Sequence, residues 1–291
     1  MAVSTPIYSS STDGPVAVCT EEIPWRDTGN RVGIKLRDMS FSDRARRFNL
    51  RVAVGLTTSQ AFSPRHRHTF EQIRYFIDGM AKFGEVVYQP GDCVYFPESV
   101  AYGPQIGVEN SDCLHITLQF SGPSGIYYPT PEEQARAHAE LAQTGTFVGG
   151  KYRWPDGREQ DAFEATLEHM TGRPVIYAEP RYDRPIRMRV SAYAAIPAND
   201  EPRITVRRLA SFNETGPQIS FIEARAGAKL EAESSKSALT DVRFLLDGEA
   251  RYGGRDYKGL SCFFFPAEHP HDAIEVMRDS RFLHVTFGSA A

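Results

Sequence analysis

Two histidines one residue apart, His66 and His68, have the type and spacing to do chemistry. On a strand, side chains at i and i+2 point to the same face, so the two imidazoles would stand side by side. Gln72 and Arg74 continue that face, and Glu71 points away unless a bulge intervenes. Paired imidazoles can hold a divalent cation; Fe, Mn, Ni, Cu and Zn all stay open, because geometry and supply choose among them. Without a cation the same pair is an acid–base or hydrogen-bonding pair. Arg74 is a candidate anchor for a substrate carboxylate or phenolate, with a salt bridge inside the core as the alternative. His115, in Leu114-His-Ile-Thr-Leu-Gln-Phe120, alternates with apolar residues, so its strand has one polar face. Solvent, a domain interface or a barrel mouth would each accommodate that face.

The elements that must position these residues occur twice. Gln72-Ile-Arg-Tyr-Phe-Ile-Asp-Gly79 returns 169 residues later as Asp241-Val-Arg-Phe-Leu-Leu-Asp-Gly248. The same offset pairs Gly84 with Gly253, Cys93 with Cys262, Phe96 with Phe265, Pro97 with Pro266, His115 with His284 and Thr117 with Thr286. Two copies at that distance mean a duplicated domain. Short β-type runs fill both: Asn49 to Leu56, Ile73 to Asp78, Val94 to Phe96 and Leu114 to Phe120, then Ile204 to Leu209, Ile219 to Glu223, Val242 to Asp247, Ser261 to Phe265 and Phe282 to Phe287. Broken by Gly, Pro and Asp, they predict antiparallel sandwiches or barrels. Between the copies, Thr130-Pro-Glu-Glu predicts a capped helix to about Gln143, and a second helix is expected over Glu159 to Met170, before Gly172 and Pro174. His138 and His169 fall on these helices as surface residues.

The run His66-Arg-His68-Thr-Phe-Glu71-Gln72 followed by Gly79, and then Gly91-Asp-Cys-Val-Tyr-Phe-Pro97, resembles the cupin superfamily, whose first motif is HxH, a spacer, Glu, six residues and Gly. Gln72 takes the place of the usual Glu, and Tyr102 falls at the histidine position of the second motif. The resemblance implies an all-β bicupin of two tandem jelly-roll barrels with a short helical connector. The divisions are an N-terminal arm over 1–20, a first barrel over 21–122, a connector over 123–186 and a second barrel over 187–291. It further implies a metal site on His66, His68, Gln72 and Tyr102, with Fe(II) the expected metal. Tyr102 could coordinate as phenolate, act as acid or base, or hydrogen-bond across the pocket, and Glu71 is a second candidate acid or base. Arg74, Gln105 and His115 are candidates for binding substrate. The offset puts Ser235 and Ser237 where His66 and His68 stand, and Asp241 at the Gln72 position, so the second copy is expected to have lost its metal.

By the same resemblance the expected activity is an Fe(II)-type dioxygenase acting on a small anionic aromatic or enolisable substrate. The alternatives are a non-redox lyase, isomerase or cyclase using acid–base residues, or a small-molecule binding protein. Bicupins also lead one to expect a homodimer. Net charge is −4, from 33 basic and 37 acidic residues, with no cluster able to track a phosphate backbone, which argues against nucleic acid. No apolar run approaches the roughly 20 residues that would span a bilayer, and no leader pattern opens the chain, so a cytoplasmic location is expected. The four cysteines lack CxxC spacing, and Cys93 and Cys262 read as core residues.

Overall fold

The computed structural model describes residues 8–10, 14–27, 32–43, 48–198, 201–212, 216–231 and 239–288. The architecture is all-β, built on two large sheets that are jelly-roll-like, with a short helical connector between them. The first sheet runs Ile186–Arg189, Asp92–Phe96, Phe70–Asp78, Cys113–Ser121, Phe48–Ser63, Gln105–Gly107, Ala81–Phe83 and Val86–Tyr88, with Val32–Asp43 also paired to Phe48–Ser63. The second runs Ile196–Pro197, Ile204–Ser211, Gln218–Ala224, Ile274–Phe287, Thr240–Tyr252, Ser261–Phe265 and Val16–Cys19.

Period-two alternation explains how the halves meet. Ile73 and Tyr75, Ile116, Leu118 and Phe120, and Leu50, Val52 and Val54 turn one face of the first sheet outward. There they merge into a single core with Ile219, Phe221, Val242, Phe244, Leu283, Val285 and Phe287 of the second. Ring pairs cross that boundary: Phe41 with Phe264 at 4.8 Å and Tyr95 with Phe212 at 3.9 Å between centroids. Cys93 and Cys262 are free and fully buried in this shared core. The opposite face of each sheet, which carries Gln72, Arg74, His115, Thr117 and Gln119 in the first half, turns inward. The polar face of the His115 strand is therefore the interior of its half, and the apolar face is the domain interface.

The halves also exchange strands. Val16–Cys19, within the segment read as an arm, pairs antiparallel with Ser261–Phe265 of the second half. Its counterpart Ile186–Arg189, at the end of the connector, pairs with Asp92–Phe96 of the first. Each is followed by a 3-10 turn, Thr20–Glu22 or Val190–Ala192, and a two-residue strand, so the duplication reaches back to these strands.

The offset does not hold throughout. Gln72 faces Phe96 as Asp241 faces Phe265, which keeps it, but Gln72 faces Gln119 whereas Asp241 faces Thr286, a slip of two residues on the last strand. A slip of two preserves which face is buried. His284 consequently lies opposite Arg243, whereas His115 lies opposite Phe76.

Two local expectations change. Val32–Asp43 is a strand that the sequence reading does not mark, because Lys35, Arg37 and Asp38 interrupt its apolar residues. The second helix begins at Ala162, not Glu159: Glu159–Asp161 pairs in a small sheet with Lys151–Arg153, and Asp161 caps the helix by accepting from the backbone N–H groups of Phe163 and Glu164. The first helix, Pro131–Leu141, has the expected start, a capping box between Thr130 and Glu133. His138 and His169 are exposed on the two helices, His138 stacked on Phe147 and His169 2.7 Å from Glu140. Among the described residues no helix is long and apolar enough to cross a membrane.

Candidate functional site

His66 and His68 lie just before the Phe70–Asp78 strand, and Tyr102 is brought over them by a two-way backbone bridge, His66 N–H to Tyr102 C=O at 3.1 Å and Tyr102 N–H to His66 C=O at 2.9 Å. The two imidazole centroids are 4.8 Å apart. His66 Nδ1 lies 2.7 Å from the Pro64 carbonyl, which can only accept, so Nε2 is the acceptor nitrogen of the neutral ring. His68 stacks on Phe70 at 4.2 Å, and its Nε2 lies 2.9 Å from the Tyr102 hydroxyl.

Below this mouth a chain of hydrogen bonds has a fixed direction. Arg51 has donors only, and its NH1 donates to Gln119 Oε1 at 3.0 Å, where the Tyr128 hydroxyl also donates at 2.9 Å. Gln119 must then present its amide nitrogen to Gln72 Oε1, at 3.2 Å, and Arg74 NH2 donates to the same oxygen at 3.2 Å. Gln72 therefore turns its own nitrogen toward Tyr102 and donates to the phenol oxygen at 2.6 Å. With that oxygen accepting, the Tyr102 proton is left for His68 Nε2. Arg74 NH1 meanwhile donates to Gln105 Oε1 at 3.2 Å, and Gln105 Nε2 donates to Thr57 at 3.0 Å.

The chain is anchored from outside the motif. Asp38 accepts from Arg51 and also pairs with Arg26, and it holds Arg51 above its ordinary range although burial opposes that charge. Burial pushes the Tyr128 phenol up to about 12, so it stays a proton donor. Tyr128 belongs to the connector, as do Phe163, packed against Phe70 at 5.4 Å, and Tyr177, which lies under the Arg67 guanidinium at 3.8 Å.

Of the candidate residues, His66, His68, Gln72, Arg74, Tyr102 and Gln105 are thus brought into one network. Glu71 is not among them: it lies fully buried on the opposite face, accepting from Tyr95 and, at 2.7 Å, from Arg181. His115 shares the inner face but sits deeper, against Phe76 and above Gly55, where a Cβ would come within 2.5 Å of its Nε2. Burial, and then the charge of Arg74, push His115 down to about 3, so it is a neutral packing group. Gln119, Arg51 and Tyr128 complete the network. Only Gln119, alternating with His115 and Thr117, carries a sequence signal for it.

The donor set does not fit the implied metal site. Among the described residues, no group of three or more His, Cys, Asp and Glu could hold a metal ion. Gln72 turns N–H donors inward where a ligand needs a lone pair, and the Arg74 guanidinium, 5.8 Å from the Tyr102 ring, adds positive charge.

In the second half, Asp241 takes two hydrogen bonds from Arg243, at 3.0 and 2.7 Å, and His284 Nε2 is 3.0 Å from its other oxygen. Burial alone would raise this carboxyl, but Arg243 and His284 hold it well below the usual range. His271, at the Tyr102 position, stacks on Phe265 at 3.7 Å. Ser235 and Ser237 lie outside the described residues.

No family model matches the chain, and no curated protein matches it. Solved structures do. A candidate dioxygenase of Nostoc punctiforme superposes with a TM-score of 0.62 at 11% identity, over 96% of this chain and 84% of its own. The chain has a bicupin-like fold. Streptomyces albus HEPD, solved with its substrate 2-hydroxyethylphosphonate and Fe(II) bound, gives 0.56 at 13% identity over 98% and 78%. A variant of Bacillus subtilis oxalate decarboxylase gives 0.56 at 15% over 98% and 79%. These structures include a candidate dioxygenase and a decarboxylase, and at such identities the likeness is one of fold.

Proposed function

We propose that the first half is the catalytic one and carries out a non-redox proton transfer, of the lyase, isomerase or cyclase kind, on a small anionic enolisable substrate entering beside His66 and His68. The observation that carries this reading is the Tyr102 hydroxyl, held between the donating Gln72 Nε2 and the accepting His68 Nε2. In the isomerase case the step balances within substrate and protein. As a substrate C–H bond breaks, the free lone pair of the phenol oxygen takes that proton while the hydroxyl proton passes to His68 Nε2. Return of a proton to the neighbouring carbon restores both groups, with no oxidant or reductant. Gln72 N–H and the Arg74 guanidinium are placed to stabilise negative charge developing beside the phenol.

Deuterium exchange at the carbon adjacent to the ketone of small 2-oxo and β-keto acids in D2O tests the reading. Tyr102→Phe, which keeps the ring packing, is expected to lower the rate by about 10²–10⁴-fold with the fold retained by circular dichroism, although the orphaned Gln72 N–H should cost about 1–3 kcal/mol of stability. Undiminished exchange in that variant would remove Tyr102 from the chemistry.

A second reading, an Fe(II)-type dioxygenase of a small aromatic or enolisable anion, is favoured by the paired imidazoles and by a fold neighbour solved with Fe(II). Elemental analysis of the wild type beside His66→Ala/His68→Ala separates the two. Near-stoichiometric metal that disappears in the variant supports the oxygenase, and background metal in both supports proton transfer.

A further inference from the structure

The second half contains an open cavity of about 910 Å³ that the proposed chemistry does not use. Two adjacent cross-strand rows line it. One is polar and spans four neighbouring strands: Arg208 faces Ser220, Ser220 faces His284, and His284 faces Arg243. The other, two residues along, is apolar: Val206 faces Ile222, and Leu230 adds to the apolar wall, with the buried Phe282 behind Ile222 on the next strand. Directly opposed residues on one face lie within about 5.5 Å of each other between Cβ atoms, so each row acts as a continuous strip.

The charges of the polar row are unevenly answered. Asp241 is engaged by Arg243 and His284, and Arg243 NH1 also donates to the Leu230 carbonyl at 3.1 Å. On the remaining wall, Glu201 pairs with Arg203 and Lys229 with Glu275, while Glu231 is an exposed carboxylate. Arg208 is different: it is exposed at the cavity, among the described residues it has no hydrogen-bond or ion-pair partner, and it faces Ser220 across the strand pair.

We propose that this cavity binds a small organic monocarboxylate with an apolar body, its carboxylate on Arg208 and Ser220 and its body along Val206, Ile222 and Leu230, without a metal. Guanidinium and hydroxyl together supply charge-assisted hydrogen bonds to a carboxylate, and the neighbouring apolar row fixes its direction. The site is separate from His66, His68 and Tyr102, so it stands or falls independently of the catalytic reading.

Calorimetric titration of the full chain with benzoate and with hexanoate, against benzamide and hexanamide, tests it. Saturable millimolar or tighter binding of a carboxylate but not its amide is expected. Arg208→Gln should weaken it at least about tenfold. Ser220→Phe, which fills the polar row and whose fold is checked by circular dichroism, should abolish it, and His66→Ala/His68→Ala should leave it unchanged. Absence of binding by both carboxylates, equal binding of the amides, or loss in the first-half variant with none in Arg208→Gln would each overturn the proposal.

Discussion

At the scale of single residues, the amide orientation of Gln72 separates this site from a metal centre of the same plan. A carboxylate at that position would present lone pairs where Gln72 presents N–H groups. Gln72→Glu is therefore expected to raise divalent-metal retention at least about tenfold over the wild type, measured by elemental analysis after dialysis. Equal metal in both proteins would show that the amide does not control occupancy. His115 gives a stability prediction. Its pKa falls to about 3 in the fold, so between about 6.5 and 3 the unfolded chain binds a proton that the native state does not. Stability from this group is present above pH 6.5 and is lost as pH falls toward 3, by about 1.4 kcal/mol per pH unit. Urea unfolding at pH 7 and pH 5 should show a steeper loss for the wild type than for His115→Leu; parallel losses would contradict the assignment.

At the scale of elements, the motif glycine is a backbone requirement. Gly79 ends the Phe70–Asp78 strand with φ of +66°, and a Cβ there would lie 2.0 Å from the Asp112 carbonyl oxygen. Its counterpart Gly248 has φ of +106°, and a Cβ there would lie 2.1 Å from the Ser280 hydroxyl and 2.6 Å from the Asp279 carbonyl oxygen. Both the dihedral and the close approach exclude a side chain. Gly79→Ala should cost at least about 2 kcal/mol in chemical denaturation, and a cost below 0.5 kcal/mol would mean that the turn relaxes freely. The turn and the strand that it ends were legible because local patterning sets them, but His66 and His68, expected on a strand, lie before it. The Tyr102 bridge and the Gln119 contact join elements that are far apart in the chain, and no window of sequence contains them.

For the whole molecule, strand exchange and the shared aromatic core tie the two halves together. Removal of residues 1–19 takes Val16–Cys19 off Ser261–Phe265 and bares a sheet edge. The truncated chain is expected to melt several degrees lower and to aggregate more readily, whereas the intact chain should unfold in one calorimetric transition. Two resolved transitions in the intact chain would show that the halves are energetically separate.

The sequence by itself determined the duplication, the all-β character, the alternation of each strand and the shared face of Gln72 and Arg74, because these follow from spacings within one element or from a repeated pattern, whereas His66 and His68 lie outside that strand and are set by the bridge to Tyr102. The tertiary structure alone decided that the apolar faces meet each other, that the first strand of each copy crosses to the other half, and that Gln72 turns its nitrogen inward. That last choice begins at Asp38, Arg51 and Tyr128, which lie far from Gln72 in the chain and come together only when the sheet forms and the connector folds over it. Hydrogen-bond direction belongs to the assembled network, since an amide has no preferred face until its neighbours are in place.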